Sequence, residues 1–170
     1  MKRLTLMRHG DAQWKDPEVA DFARPLNRRG SSEAEAMGRR LADLALVPDL
    51  IISSPARRAQ QTAELVAREL ALAARSIRFE EALYLAGAQE ILKLARAIGP
   101  RFPHLMIIGH NPGISELAHL LAPSTDMSGL ATAAFSSITF EVEQWSAVGP
   151  AVTRDVLNEA PPSRLFSLFA

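Results

Sequence analysis

The sequence predicts an α/β fold, a three-layer sandwich in which a mostly parallel central sheet carries helices on both faces. Two observations lead there: short continuous apolar runs at residues 4–7, 50–52 and 105–108, and longer segments of helical period between them. Uninterrupted apolar strands suit a sheet buried on two sides, and intervening helices supply the crossovers that parallel strands require.

Taken in order, the first run ends in Met7-Arg8-His9-Gly10, which places an arginine and a histidine at a strand's carboxyl end. The loop over residues 11–29 contains Trp14, Lys15, Phe22 and Arg24, and a connection that long either covers a ligand or packs on the surface. From Ala34, the apolar positions Met37, Leu41 and Leu44 follow three- and four-residue steps and predict a helix. The second strand, at 50–52, passes through Ser54-Pro55, read as a hydroxyl cap and a proline opening a helix. On that helix Arg57, Gln61, Glu64 and Arg68 form a polar stripe facing solvent, so Arg58, about 100° round the axis, faces inward.

A further helix covers Ile91, Ala95 and Ile98. The strand at 105–108 runs into Gly109-His110-Asn111-Pro112-Gly113 and then a helix bearing Ile114, Leu117, Ala118 and Leu121. Near the end Ile138, Phe140 and Val142 alternate with Thr139, Glu141 and Glu143, the pattern of a half-exposed strand. Residues 152–157 are its expected antiparallel neighbour at an edge.

A chain of 170 residues, 48% of them apolar, is expected to form one domain over residues 1–170. Lysine plus arginine equals aspartate plus glutamate at 19 each, so no overall field recruits nucleic acid or an acidic membrane. Arg8 interrupts the apolar N-terminal stretch before it reaches the length of a membrane span or secretory leader. The absence of cysteine removes disulfides, thiolate nucleophiles and thiolate metal sites, which fits a cytoplasmic protein. The apolar ending Leu165-Phe166-Ser167-Leu168-Phe169-Ala170 is expected to pack on the body or on a second copy, a hint of a homodimer.

In an open sheet of this kind ligands sit at the carboxyl ends of the strands. His9, the Ser53-Ser54 segment and His110 all fall there, so three separate segments converge on one crevice. Phosphoryl transfer demands in-line positioning and neutralisation of the equatorial oxygens, which the planar fork of arginine can provide. Arg8 and Arg58 are the expected clamp, His9 the expected nucleophile, kept neutral by the two guanidinium groups, and His110 the expected donor to the phosphoryl oxygens. No metal or organic cofactor is required by that chemistry. His104 and His119 lack metal-ligand spacing to the other histidines and are read as structural. Neither a Walker nor a dinucleotide fingerprint nor a serine-hydrolase elbow occurs.

These residues resemble the histidine phosphatase superfamily, whose Arg-His-Gly signature closing the first strand is matched by Arg8-His9-Gly10. The resemblance implies a phosphoglycerate mutase-like fold, with His9 as the phosphorylated nucleophile, Arg8 and Arg58 as phosphate ligands and His110 as the second histidine. Arg24-Pro25-Leu26 with Gly30, the stretch from Ser54-Pro55 to Gln61-Thr62, and Gly109-His110-Asn111-Pro112 are most similar to SixA-like phosphohistidine phosphatases. Arg24 and Asn111 are the added candidates for substrate binding.

The larger phosphoglycerate mutase branch carries a glutamate general acid two residues after a leucine, whereas here Leu83-Tyr84-Leu85 offers none. An imidazole leaving group needs protonation less than an alkoxide does, which favours a phosphohistidine protein over a small phosphomonoester. Asp11, Asp16, Glu80 and Glu81 are the alternative proton sources. Two other readings stand beside this one: a small-molecule phosphomonoesterase or mutase, and a module that binds phosphate or phosphoprotein without turnover.

Overall fold

The computed structural model describes residues 1–14, 16–123 and 128–162. Its strands are β1 (Lys2–Arg8), β2 (Leu50–Ser53), β3 (Ile77–Phe79), β4 (His104–Gly109), β5 (Phe135–Phe140) and β6 (Thr153–Glu159). They form one sheet in the order β3-β2-β4-β1-β5-β6. The pairs β1–β4, β2–β4 and β2–β3 are parallel, and β1–β5 and β5–β6 are antiparallel.

Side chains that alternate along each strand feed two cores, because successive residues of a strand point to opposite faces. On one face Met7, Ile51, Met106 and Ile108 meet helices α1 (Arg28–Asp43) and α2 (Arg57–Glu69) through Met37, Leu41 and Val66. On the other, Leu6, Ile52 and Ile107 meet α3 (Ala88–Arg96) and α4 (Gly113–Leu121) through Ile91, Ile114 and Leu117. This is the three-layer arrangement that the apolar runs and helical periods predict.

Four local features depart from the sequence reading. Strand β3 has only three residues, two of them exposed, so it leaves no apolar run to read. Strand β5 is not half-exposed: it begins at Phe135, lies between β1 and β6, and buries five of its six residues, while Glu141 and Glu143 fall beyond its end. Helix α1 starts at Arg28, earlier than the apolar steps from Ala34, because the Asn27 side chain caps it by accepting from Gly30 N. The cap of α2 is Ala56 rather than Ser54, whose hydroxyl is engaged elsewhere. The apolar ending at 165–170 lies outside the described residues.

Gly30 holds the loop after β1 against the first turn of α1, since a Cβ there would stand 2.0 Å from Asp11 O and 2.6 Å from Asp11 N. Those are backbone atoms that no rotamer change can move. Gly30→Ala is expected to cost about 3 kcal/mol, the upper part of the range for overpacking. A lower urea midpoint with an unchanged slope would register that loss.

Candidate active site

Strand register brings the two predicted histidines together. In the parallel β1–β4 pair Arg8 lies opposite Gly109, so the next residue of each chain segment, His9 and His110, leaves the sheet side by side. Their ring centroids are 5.1 Å apart. Both residues are buried, and between them reaches Arg58, the second residue of α2, only 3% exposed. Arg57 is exposed, as the polar stripe requires.

His9 has a defined tautomer. Its Nδ1 lies 2.7 Å from Gly10 O, and a carbonyl can only accept, so Nδ1 carries the proton. Nε2 therefore presents its lone pair, toward which Arg58 Nε donates at 3.3 Å. Burial, with the nearby charges of Arg58 and Arg8 adding to it, pulls the His9 pKa down to about 3. Arg58 Nη2 donates to His110 Nδ1 at 3.3 Å, and His110 Nε2 lies 2.7 Å from Ser54 Oγ. Burial and the Arg58 charge lower the His110 pKa to about 4.

Arg8 occupies the last position of β1. Its Nη1 donates to Leu130 O at 3.2 Å, while its Nε is buried without a hydrogen-bond partner among the described residues. Asn111, whose bond to Pro112 is cis, donates to the same Leu130 carbonyl and accepts from Ser115 Oγ. Its amide braces the loop that also receives Arg8. Arg24 is likewise engaged within the protein: it pairs with Asp21 at 2.9 Å and donates to Gln13 O.

The sequence reading passed over Asp21 and Tyr84. Asp21 opens a short 3-10 turn in the loop after β1, and it accepts from Arg58 twice, through its carbonyl at 2.7 Å and its carboxylate at 3.1 Å. The same carboxylate accepts from Tyr84 OH at 2.7 Å, and these hydrogen bonds with that of Arg24 hold its pKa well below the usual carboxylate range, against burial. Tyr84 meets the His110 ring edge-on at 5.6 Å and Phe22 at 5.1 Å. The i,i+3 spacing of Asp21 and Arg24 was the available signal. It is Asp21 and Phe22 of this loop that reach the cluster, whereas Trp14 is 93% exposed and Lys15 lies outside the described residues.

Gln61 and Thr62 fasten the surroundings. Thr62 Oγ1 donates to Arg58 O and accepts from Gly10 N, and Gln61 Oε1 accepts from Leu26 N. Gln61 is thus half-buried rather than purely solvent-facing. His104 and His119 stand apart: His104 opens β4, bonded to Thr5 Oγ1, and His119 lies on α4.

Three histidines, 9, 104 and 110, have pKa values lowered mainly by burial to between about 3 and about 4. The unfolded chain takes up these protons near the ordinary value of about 6.5 and the folded chain does not. Their contribution is therefore intact above pH 6.5 and is lost as pH falls from there toward 4. A melting temperature that drops between pH 7 and pH 5 is the expected outcome in a thermal scan.

A family model described as the histidine phosphatase superfamily (branch 1) matches residues 4–84, which include Arg8, His9 and Arg58. An uncharacterised protein of Mycobacterium tuberculosis is 31% identical over 148 residues, covering 87% of this chain and 86% of the relative. An uncharacterised chloroplastic protein of Arabidopsis thaliana is 29% identical over 129 residues, 71% of this chain, and the match spans 59% of that longer protein. Among solved structures, a protein of Agrobacterium tumefaciens assigned as the phosphohistidine phosphatase SixA superposes with a TM-score of 0.77 at 29% identity, covering 94% of this chain and 99% of that one. No described helix is long and apolar enough to cross a membrane. The cluster of Arg8, His9 and His110 at the strand ends with Arg58 from α2, together with these likenesses, places the chain in the histidine phosphatase superfamily, branch 1.

Proposed function

We propose that this phosphatase hydrolyses phosphohistidine on a protein through a covalent intermediate on His9. The observation that carries the reading is the His9 tautomer, since the bond to Gly10 O leaves the Nε2 lone pair aimed at the guanidinium of Arg58. The lowered pKa keeps that ring neutral and nucleophilic at physiological pH.

In the first step the Nε2 lone pair of His9 attacks phosphorus as the P–N bond of the substrate breaks. The departing imidazole nitrogen takes the electron pair and gains a proton from solvent. In the second step water attacks phosphorus, releases a proton, and returns the electron pair to Nε2. Arg58 and Arg8 neutralise the phosphoryl oxygens; the buried Nε of Arg8, unpartnered among the described residues, is a donor suited to an anion. Arg24 and Asn111 act at one remove, Arg24 by holding Asp21 and Asn111 by bracing Leu130.

Leaving-group chemistry supports a P–N substrate. Asp21, the carboxylate in contact with Arg58, stays ionised and holds no proton to give at neutral pH. Imidazole departs from phosphohistidine with little help, whereas a sugar alkoxide needs a strong acid beside it.

The test is a steady-state panel comparing a phosphohistidine protein, an aryl phosphate and sugar phosphates. Highest kcat/KM on the phosphohistidine protein is expected, with acid-labile radiolabel trapped on His9. Preference for sugar phosphates overturns the substrate class, and inertness toward the whole panel overturns catalysis in favour of a binding module.

A further inference from the structure

The hydrogen bonds around His110 pose a problem that the proposed chemistry must solve. Arg58 can only donate, so its contact with His110 Nδ1 requires a lone pair on Nδ1 and places the ring proton on Nε2, facing Ser54 Oγ. A phosphoryl oxygen arriving between the two histidines accepts hydrogen bonds and is repelled by a lone pair. His110 must then carry a proton on Nδ1.

We infer that Ser54 is a positioning residue that sets the tautomer of His110, donating its hydroxyl proton to Nε2 when a phosphoryl group is bound so that neutral Nδ1–H faces the anion. The inference rests on the phosphatase reading of this site. The geometry is specific to a hydroxyl. Ser54 Oγ accepts from Ala56 N at 3.3 Å and lies 2.7 Å from Nε2, close enough either to accept from Nε2–H or to donate to bare Nε2. A carboxylate there would lock Nε2 in its protonated form, and an alkyl group would leave it unpaired.

The alternative route to an Nδ1 donor is a full imidazolium. That route is opposed by burial and by the charges of Arg58, Arg24 and Arg8, of which only Asp21 offsets a part. The tautomer change needs no net proton: one leaves Nε2 to solvent, one is taken up at Nδ1, and the ring stays neutral. Arg58 Nη2 releases Nδ1 and retains Asp21 Oδ2.

Strand register explains why Ser54 stands there. Ser53 pairs with Ile108 across β2 and β4, so Ser54, which follows β2, and His110, which follows β4 just beyond Gly109, leave the sheet together. Pro55 and Ala56 then delay the start of α2 until Arg57, and the hydroxyl is left to the histidine instead of the helix end.

The test is nitrogen-15 NMR of the ring nitrogens in the full chain, whose four histidines keep the spectrum assignable. Without ligand, His110 should show protonated Nε2 and bare Nδ1; with saturating inorganic phosphate, bare Nε2 and protonated Nδ1. Two protonated nitrogens in the phosphate complex, or an unchanged tautomer, overturns the inference and leaves the phosphatase reading standing. Failure of phosphate to perturb His9 or His110, together with full activity of His9→Ala, removes that reading and the inference with it. In kinetics Ser54→Ala should lower kcat about tenfold, the scale of one lost hydrogen bond, and Ser54→Thr should recover most of it. Equal loss in Thr and Ala variants of matching stability counts against the hydroxyl.

Discussion

His9→Ala is expected to reduce kcat on a phosphorylated histidine by about 10⁴-fold or more, the scale on which removal of a nucleophile acts. Without the imidazole the proposed two-step route is closed, because the neighbouring ring, His110, is oriented by Ser54 and Arg58 for a different contact. Binding should survive the change. Arg8 and Arg58 remain, so phosphate should still raise the melting temperature of the variant. Loss of turnover with retained phosphate stabilisation separates a missing nucleophile from a collapsed site. A companion measurement reads the charge state directly: burial and the guanidinium groups lower the His9 pKa to about 3, so its ring carbons should titrate far below pH 6.5. Activity carried by this group is present above that pKa and lost as pH falls through it.

The layers of the fold were legible because each central strand is apolar on both faces and each helix repeats its apolar residues at three and four. Where those signals are absent the sequence misleads for identifiable reasons. Strand β3 draws its place from pairing with β2 and shows two of its three side chains to solvent, so no apolar run marks it. Strand β5 opens with Phe135, Ser136 and Ser137, ahead of the alternation from Ile138 that marks it in the sequence; Ser137 is buried beside Thr5, whose hydroxyl it accepts from.

The four residues at the centre of the site were legible for a different reason. Arg8 and His9 end one apolar run, His110 follows another, and Arg58 falls off the polar stripe of its helix, so strand ends and helix period locate all four before any contact is known. What position alone cannot convey is pairing. Asp21 reaches Arg58 across 37 residues and Tyr84 across a still longer separation, from loops whose local sequence resembles any surface connection. Pro55 marks Ser54 as a helix cap in the sequence, and only the register of β2 against β4 reveals that its hydroxyl serves His110.

Arg58→Ala is expected to slow turnover by about 10²- to 10³-fold, the cost of losing one preorganised charge-stabilising donor. The adjacent Arg57→Ala should stay close to the parent, since Arg57 is exposed on the stripe with Glu64 and Arg68. The contrast between neighbours excludes net charge as the cause, because each variant removes one positive charge from the same helix turn. Arg58 stands to lose more than a charge: its Nε meets His9, its Nη2 meets His110 and Asp21, and its Nη1 meets the Asp21 carbonyl. Arg58→Lys restores the charge without the planar fork, and it should remain well below the parent because a single ammonium cannot span those partners. Melting temperatures of the three variants, measured alongside kcat, separate catalysis from packing. If Arg57→Ala and Arg58→Ala lose activity equally while both stay folded, the inward guanidinium is not the group that stabilises the transition state.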